Sequence, residues 1–195
     1  MIVTLSGITG IGKSFFKKVI ANELGFKNMV IVTTREKRKN EINGVDKIFV
    51  KETEFNEIKK TGKILGDFDF LGNKYAYKSE DMQSYENKVT EVHYSKIGEF
   101  KNNANDDVFS IYLIPSDYEK AKIELHKRGL PEQVEKQRLK EIEEHIKEYS
   151  TNKELQAQFD YVFVNNYDED SKNKLLEIIK KKIKVKGMVK VWEKK

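Results

Sequence analysis

The eight residues GITGIGKS, at positions 7–14, constrain the fold of this chain more than any other stretch. They match the pattern G-x-x-x-x-G-K-S, in which the glycines let the backbone wrap an anion so that successive N–H groups point at phosphate oxygens. The apolar residues 2–5 predict a buried strand before the pattern, and the spacing of apolar residues in 15–24 predicts a helix after it. This strand, loop and helix order is the one that a phosphate-binding loop requires, and it predicts an α/β protein.

The side chains of this phosphate-binding loop, residues 7–14, indicate ATP as its ligand. Lys13 supplies a point charge for the β and γ phosphates, and the Ser14 hydroxyl is a ligand that Mg²⁺ accepts. A plain glycine-rich turn is the alternative, and the rarity of the full pattern disfavours it. The loop residues expected to bind ATP are Gly7, Ile8, Thr9, Gly10, Ile11, Gly12, Lys13 and Ser14.

Composition limits the class of protein. A chain of 195 residues with 38% hydrophobic residues is expected to form one globular domain. It contains no cysteine, no apolar run long enough to cross a bilayer and no secretion signal, so we expect a cytoplasmic protein without a membrane partner. The net charge of +5 is spread along the chain except in the basic segment 180–195, which we interpret as a helix end and a solvated tail rather than a nucleic-acid site.

Two arginines predict a second anion site. Arg35 and Arg38 follow the predicted strand 29–32, at the end of a strand where an α/β sheet presents its ligands. Their guanidinium groups are suited to bind phosphate through paired hydrogen bonds. The alternative is that both arginines are solvated, as most surface arginines are.

The rest of the chain alternates short strands and helices. Ser116 and Glu119 form a capping-box pattern that predicts a helix start, and Arg128 with Gly129 ends that helix. On the next helix, 134–149, Arg138 stands in an apolar face, where it either snorkels to solvent or binds a ligand. The other predicted elements are strands at 47–50, 63–65, 68–70, 74–77, 89–94, 108–114 and 161–164 and helices at 55–60 and 170–184.

With these motifs the chain resembles the guanylate kinase family over nearly its full length. The stretches that carry the resemblance are GITGIGKS, TTREKRKNEINGVDKIFV, GNKYAY, IYLIPSDYEKAKIELHKRG, EKQRLKEIEEHI and FDYVFVNN. The resemblance implies a single domain with three parts: a P-loop three-layer α/β core with a parallel sheet (1–32, 86–117 and 151–195), a small β-rich nucleoside-monophosphate-binding insertion (33–85) and a helical lid (118–150).

The resemblance also implies a reaction and a set of site residues. The reaction is transfer of the γ-phosphoryl group of ATP to GMP or dGMP with Mg²⁺, by a monomer or homodimer. The catalytic residues it implies are Lys13, Arg35, Arg128 and Arg138. The acceptor-binding residues are Arg35, Arg38, Glu41, Lys47, Asp67, Asp69, Tyr75, Tyr77 and His93. Asn165 would lie beside the adenine, and Ser14 and Glu91 would hold Mg²⁺, Glu91 through water.

Several positions depart from the family pattern. Lys47 stands where the family has a tyrosine that grips the acceptor phosphate, and Glu124 stands where it has a lid arginine, which predicts a slower enzyme. At four positions that read the guanine ring in the family, this chain has Ile31, Gly66, Tyr77 and His93. Either Asp67 or Asp69 would replace the missing glutamate if the register of the hairpin shifts.

Two other functions remain open at this stage. The first is a kinase of the same family that acts on a different acceptor, either another nucleoside monophosphate or a ribose bisphosphate. The second is a binding module like the guanylate-kinase-like domains of scaffold proteins. Such modules have usually lost the lysine of the loop and the lid arginines, whereas this chain keeps Lys13, Arg128 and Arg138.

Overall fold

The computed structural model describes the backbone of residues 1–192 and the side chains of residues 1–185. The end of the basic segment 180–195 therefore lies outside the described residues. Across residues 1–192, none of the helices has the length and apolar character needed to cross a membrane.

Strands and helices alternate along the chain, with a 3-10 turn at Tyr94–Lys96. The strands are β1 (Ile2–Gly7), β2 (Lys27–Asn28), β3 (Val32–Thr33), β4 (Ile48–Phe49), β5 (Ile64–Phe70), β6 (Asn73–Lys78), β7 (Lys88–Glu91), β8 (Val108–Pro115) and β9 (Tyr161–Asn165). The helices are α1 (Lys13–Leu24), α2 (Glu52–Lys60), α3 (Ser79–Met82), α4 (Ile97–Asn103), α5 (Tyr118–His126), α6 (Glu132–Thr151), α7 (Lys153–Ala157) and α8 (Glu169–Trp192).

A five-stranded parallel sheet in the order β2-β7-β1-β8-β9 forms the centre of the molecule. Its central strand β1 is buried on both faces: Val3 and Leu5 pack with α1, α5 and α8, and the face of Ile2, which also carries the buried Thr4 and Ser6, is covered by α4 and α7. The expected α/β core with a parallel sheet is confirmed. The carboxyl end of β1 leads directly into residues 7–14, and α1 begins at Lys13, so the predicted strand, loop and helix order is also confirmed.

A second sheet of four strands, in the order β4-β3-β6-β5, stands beside the first. All four strands come from residues 32–78, and all of these except Val32 lie inside the stretch 33–85 expected to form a β-rich insertion. Its small core contains Val32, Phe55, Ile64 and Ala76. The exact division of the chain into core, insertion and lid stays a prediction.

The strand predicted at 29–32 is divided between the two sheets. Met29 still donates its backbone N–H to Val89 in the parallel sheet, at 3.0 Å, while the Ile31 carbonyl accepts from Ile48 in the second sheet, at 2.9 Å. The apolar run is buried as expected, but its backbone groups serve two sheets, so the regular pairing of a single strand is interrupted.

The two short strands predicted at 63–65 and 68–70 are one strand, β5. Its pairing with β6 is irregular between Leu65 and Phe68, and Gly66 there has a φ of +60°, which suits glycine. The strand predicted at 89–94 is shorter than expected, because the chain turns into the 3-10 segment at Tyr94.

The helix α5 begins one residue later than the capping-box pattern predicts. Asp117 caps it by accepting a hydrogen bond from the backbone N–H of Glu119 at 2.9 Å. Ser116 does not cap the helix; its N–H donates to the Asn165 carbonyl at 3.0 Å, because it still extends the pairing of β8 with β9. The connection from α5 to α6 contains Gly129, with a φ of +58°.

Candidate active site

A cavity of about 460 Å³ opens between the phosphate-binding loop, the second sheet and helices α5 and α6. It brings together residues far apart in the sequence, since the loop, the β3–β4 connection, the end of β7 and the two helices all contribute to its wall. The sequence-predicted residues that line it are Gly7, Thr9, Gly10, Ile11, Gly12, Lys13, Ser14, Arg35, Arg38, Glu41, Lys47, Tyr75, Glu91, His93, Arg128 and Arg138. The predicted residues that do not line it are Ile8, Asp67, Asp69, Tyr77 and Asn165.

The phosphate-binding loop is packed too tightly for side chains at two of its glycines. A Cβ added at Gly7 would lie 2.5 Å from the Leu113 carbonyl oxygen, and one at Gly10 would lie 2.4 Å from the Ala121 carbonyl oxygen. Both glycines also have positive φ values, of 137° and 87°. Gly7, which the motif requires, and Gly10, which stands at a variable position of the motif, are thus both required by the neighbouring backbone of β8 and α5.

Lys13 lies folded over the loop. Its Nζ donates to the carbonyl oxygens of Gly7 and Ile8, at 2.7 and 2.8 Å. Burial lowers the pKa of Lys13 to about 8, although Glu91 and Glu141 oppose this shift. Ile8 itself is buried and contributes its carbonyl oxygen rather than its side chain.

Glu91, at the end of β7, and Ser14, at the start of α1, form a hydrogen-bonded pair. The Ser14 hydroxyl donates to Glu91 Oε1 at 2.8 Å, and Lys17 Nζ lies 4.0 Å from the same oxygen. Burial opposes ionisation of Glu91, but the charges of Lys47, Lys17 and Lys13 outweigh it and lower the pKa of Glu91 to about 2. A carboxylate that stays ionised beside a hydroxyl is a set of hard oxygen donors, which fits Mg²⁺.

An arginine pair held by a carboxylate lines the wall next to the second sheet. Arg35 Nη2 donates to both carboxylate oxygens of Glu41, at 2.7 and 2.9 Å, and the Arg38 N–H donates to the same carboxylate at 2.8 Å. The Arg35 guanidinium also lies over the Phe49 ring, 5.3 Å from its centre. Burial raises the pKa of Glu41, but its bonds to Arg35 and Arg38 outweigh this and lower it. The Arg35 guanidinium is therefore oriented by ion pairing rather than solvated, whereas Arg38 is exposed and meets Glu41 only through its backbone N–H.

Helices α5 and α6 bring further charge to the cavity. Arg128 follows α5 and lines the same cavity as the loop, and its charge contributes to lowering the pKa of Lys13. The Arg138 guanidinium lies 5.4 Å from the centre of the Phe70 ring, so Arg138 faces the cavity rather than snorkelling to solvent. Glu124 also lines the cavity and is bound by Lys127, so a negative charge occupies this part of the wall.

Sequence reasoning missed a polar chain that joins α6 to the loop. The Thr9 hydroxyl donates to Glu141 Oε2 at 2.9 Å, and the other oxygen of Glu141 lies 3.7 Å from His145 Nδ1. His145 is buried, and its Nε2 lies 2.9 Å from the Tyr112 hydroxyl. The spacing gives a signal for Glu141, since a residue three after Arg138 lies on the same face of a helix.

Aromatic side chains form another part of the cavity wall, and sequence reasoning missed most of them. This aromatic wall consists of Phe68, Phe70, Tyr75, His93 and Tyr94. The rings of Phe68 and Tyr75 are stacked with centres 5.3 Å apart, and the His93 ring lies 4.8 Å from Phe70 and 4.5 Å from Tyr94. Burial, with the charge of His145, lowers the pKa of His93 to about 4.

The positions of Asp67 and Asp69 correct the expectation that one of them replaces a missing glutamate. Because side chains alternate along β5, Phe68 and Phe70 face the cavity while the two aspartates point away. Asp67 forms an ion pair with Lys59 at 2.6 Å, and Asp69, whose side chain is 75% exposed, lies 3.6 Å from Lys74.

Tyr77 and Asn165 support the site from behind instead of lining it. Tyr77 is fully buried, and its hydroxyl donates to the Glu91 carbonyl oxygen at 3.1 Å. Asn165 donates from Nδ2 to the Ile11 carbonyl oxygen at 2.9 Å and so holds the loop. Both residues therefore bond backbone groups of the site, and neither side chain lines the cavity.

Comparisons with known proteins agree with this architecture. A family model described as guanylate kinase matches residues 1–182. The chain is 32% identical to a guanylate kinase of Malacoplasma penetrans in an alignment of 189 residues that covers 93% of this chain and 93% of the relative. It is 28% identical to a guanylate kinase of Enterococcus faecalis over 172 residues, covering 85% of this chain and 81% of the relative.

Two solved structures share the fold. A guanylate kinase from Anaplasma phagocytophilum aligns with a TM-score of 0.65 at 21% identity, over 93% of this chain and 85% of the other. A shikimate kinase from Bacteroides thetaiotaomicron aligns with a TM-score of 0.50 at 16% identity, over 92% and 98% of the two chains. At these identities the likeness concerns the fold alone.

Proposed function

Because the chain belongs to the guanylate kinase family, we propose that it transfers the γ-phosphoryl group of ATP to GMP or dGMP and releases ADP with GDP or dGDP. The observation that carries the proposal is a single cavity in which the phosphate-binding loop faces the arginines 35, 38, 128 and 138. A donor phosphate site and a second cluster of cations in one cavity are what phosphoryl transfer between two anions needs.

The donor is bound by the phosphate-binding loop. Backbone N–H groups of the loop and the start of α1 bind the phosphates of ATP, and Lys13 exchanges its bonds to the Gly7 and Ile8 carbonyl oxygens for phosphate oxygens. When phosphate arrives, its negative charge stabilises the protonated form of Lys13 and offsets the effect of burial.

The acceptor phosphate is bound by Arg35, Arg38 and Lys47. Glu41 holds the Arg35 guanidinium in one orientation before the substrate arrives, which lowers the entropy cost of binding. Lys47 is partly buried and has a pKa lowered by that burial, so an anion beside it would favour its charged form.

Transfer takes place between these two sites. An oxygen of the acceptor phosphate forms a bond to the γ phosphorus as the bond from that phosphorus to ADP breaks. Arg128 and Arg138 neutralise the charge that the γ-phosphoryl oxygens carry in the transition state. Since both arginines come from the α5–α6 segment, this segment also excludes water, which would otherwise accept the phosphoryl group.

The proposal includes Mg²⁺ as the metal that accompanies ATP. Ser14 would bind it directly and Glu91 through water, and the ion would neutralise charge on the β and γ phosphates. Across the described side chains there is no cluster of three His, Cys, Asp or Glu residues, which agrees with a metal held largely by phosphate and water.

The proposed setting of the enzyme follows from its substrates. We place it in purine nucleotide metabolism in the cytoplasm, as a monomer or homodimer whose partners are nucleotides, with neither nucleic acid nor membrane among them. The absence of cysteine from the sequence suits a reducing compartment. Fractionation of cells and sedimentation of the purified protein would test these statements.

The experiment that tests the function measures ADP release from Mg²⁺-ATP with a panel of acceptors. The panel contains GMP, dGMP, AMP, CMP, UMP, dTMP and ribose 1,5-bisphosphate. We expect turnover with GMP and dGMP, and a Lys13→Ala variant should lose about 10³-fold or more in kcat/KM because the loop loses its charge. Lys180→Ala, which removes an exposed lysine on α8, is the matched control. Turnover of another acceptor with GMP ignored would contradict the proposal, as would ATP binding without turnover of any acceptor.

A further inference from the structure

The aromatic wall is the part of the cavity suited to a base. Flat rings bind a planar heteroaromatic ligand by stacking, and Phe68, Phe70, Tyr75 and Tyr94 supply such rings. In the proposed reaction the acceptor carries a purine, and its phosphate binds Arg35 and Arg38, which line the same cavity as Tyr75. The inference drawn here rests on that proposed function.

Carboxylates are missing from this wall. Guanine presents two adjacent donors, N1–H and the 2-amino group, and one carboxylate can accept from both. Among the described residues, four carboxylates line the cavity, and each already has a partner elsewhere in it. These pairs are Glu41 with Arg35, Glu91 with Ser14, Glu124 with Lys127 and Glu141 with Thr9.

Two residues of the wall, Tyr75 and His93, have a side-chain polar atom without a hydrogen-bond partner among the described residues, and in His93 this atom is a ring nitrogen. His93 Nδ1 lies 2.9 Å from the Ser95 hydroxyl oxygen, and within the described part of the chain its Nε2 has no hydrogen-bond partner. When Nδ1–H donates to Ser95, Nε2 becomes an acceptor. The ring is held in place by Phe70 and Tyr94, at 4.8 and 4.5 Å between ring centres.

A single ring nitrogen can accept only one hydrogen bond from the base. In a 6-oxopurine, N1–H is the donor that can bond Nε2 of His93, and guanine and hypoxanthine both have this donor. When a site hydrogen-bonds a group of its substrate, an analogue that lacks this group is disfavoured by about 10⁴-fold or more. When the site makes no bond to the group, an analogue that lacks it is accepted almost as well. The 2-amino group, which distinguishes guanine from hypoxanthine, has no carboxylate to bind on this wall.

We propose that His93 hydrogen-bonds N1–H of the acceptor base and that the enzyme therefore phosphorylates IMP and dIMP, 6-oxopurine monophosphates without the 2-amino group, in addition to GMP. The covalent step is the one already described. An oxygen of the IMP phosphate forms a bond to the γ phosphorus of ATP, the bond to ADP breaks, and IDP is released.

The first test compares GMP and IMP as acceptors of the wild-type protein with Mg²⁺-ATP at pH 8. We expect kcat/KM for IMP to be within about tenfold of the value for GMP, because about tenfold is the effect of one weak hydrogen bond. A larger preference for GMP overturns the inference and leaves the proposed function standing. If neither acceptor is phosphorylated, the proposed function has failed, and the inference fails with it.

The second test changes His93 to a carboxylate. In His93→Asp the new side chain can accept from both N1–H and the 2-amino group, so the preference for GMP over IMP should rise about tenfold or more. A purely structural role for His93 would lower kcat/KM for both acceptors equally and leave their ratio unchanged, which would overturn the assignment. His126→Asp is the matched control, since the His126 side chain is 82% exposed and lies outside the cavity wall.

A third measurement keeps the inference testable if His93→Asp does not fold. The amide of His93→Asn can still accept one hydrogen bond, so this variant should keep the wild-type ratio of kcat/KM between GMP and IMP.

Equilibrium binding of GMP and IMP to the wild-type protein without ATP should give dissociation constants within about tenfold of each other. A larger difference in affinity would contradict the inference independently of any variant.

Discussion

The cavity has two regions that recognise ligands in different ways. On the phosphate side, Lys13, Arg35 and Glu91 are charged and each is held by a hydrogen-bonded partner. On the aromatic wall the contacts are between rings, and His93 is the residue with an unused ring nitrogen among those described. Under the proposed function, the phosphates are bound by directed charge, whereas the base is bound by stacking and by one hydrogen bond to His93. Substitutions on the phosphate side should therefore change the rate of phosphoryl transfer, and substitutions in the aromatic wall should change which base the enzyme accepts.

Arg138 tests whether the two regions are separate, because it lines the cavity as a cation while its guanidinium lies over Phe70 of the aromatic wall. We expect Arg138→Ala to lower kcat by about 10³-fold, since an arginine that stabilises the transferring phosphoryl group is worth that much in rate. Steady-state kinetics with GMP and ATP measure the effect. Arg138→Lys keeps the positive charge but lacks the planar guanidinium that forms paired hydrogen bonds, so it should recover part of the lost kcat. A rise in KM for GMP with kcat unchanged would instead assign Arg138 to the base.

Glu41 tests whether orientation of the arginines matters on the phosphate side. In Glu41→Gln the paired bonds to Arg35 are lost, so the acceptor must order the guanidinium itself. We expect KM for GMP to rise about tenfold with KM for ATP unchanged, which corresponds to the loss of a charge-assisted hydrogen bond. Glu36→Gln changes an exposed glutamate of the same segment and serves as the control. Equal changes in both KM values would argue against a role confined to the acceptor.

Tyr77 gives the smallest expected effect. Tyr77→Phe removes the hydroxyl that donates to the Glu91 carbonyl oxygen and leaves that oxygen with a long hydrogen bond of 3.5 Å from the Thr90 hydroxyl, so we expect a loss of about 1 kcal/mol in the free energy of unfolding. For a chain of this size that corresponds to a fall in Tm of about 2 to 4 °C, measurable by calorimetry. KM for GMP should stay within about twofold, because a residue behind the wall makes no contact with the acceptor. A rise in KM for GMP without a change in Tm would indicate that Tyr77 contacts the acceptor.

The phosphate side could be predicted from the sequence because its groups are local. Residues 7–14 lie in one continuous motif, and Arg35, Arg38 and Glu41 lie within seven residues of one another. Backbone amides of one loop and a few cations are sufficient to bind phosphate, so the sequence pattern alone predicts a phosphate site. The strand, loop and helix order around the motif was predictable for the same reason.

The aromatic wall could not be predicted in the same way because it depends on register. A shift of one residue along β5 would turn Asp67 and Asp69 to the cavity and Phe68 and Phe70 away from it, and the sequence LGDFDF allows both. The irregular pairing at Gly66 decides between them, and it is a tertiary feature. Glu141 and His145 were missed because their partners, Thr9 and Tyr112, are distant in the chain.

The close packing of Gly7 and Gly10 against the backbone of β8 and α5 has a consequence for how this protein can change over generations. A mutation at either position must displace a carbonyl oxygen, at 2.5 and 2.4 Å from the new Cβ, before it can affect nucleotide binding. In a library of random variants these two codons should accept no other amino acid, even under selection for folding alone. Phe68 and Phe70 of the aromatic wall are not fixed by a backbone clash of this kind. Substitutions there can therefore change which acceptor base is bound, while the phosphate-binding loop stays unchanged.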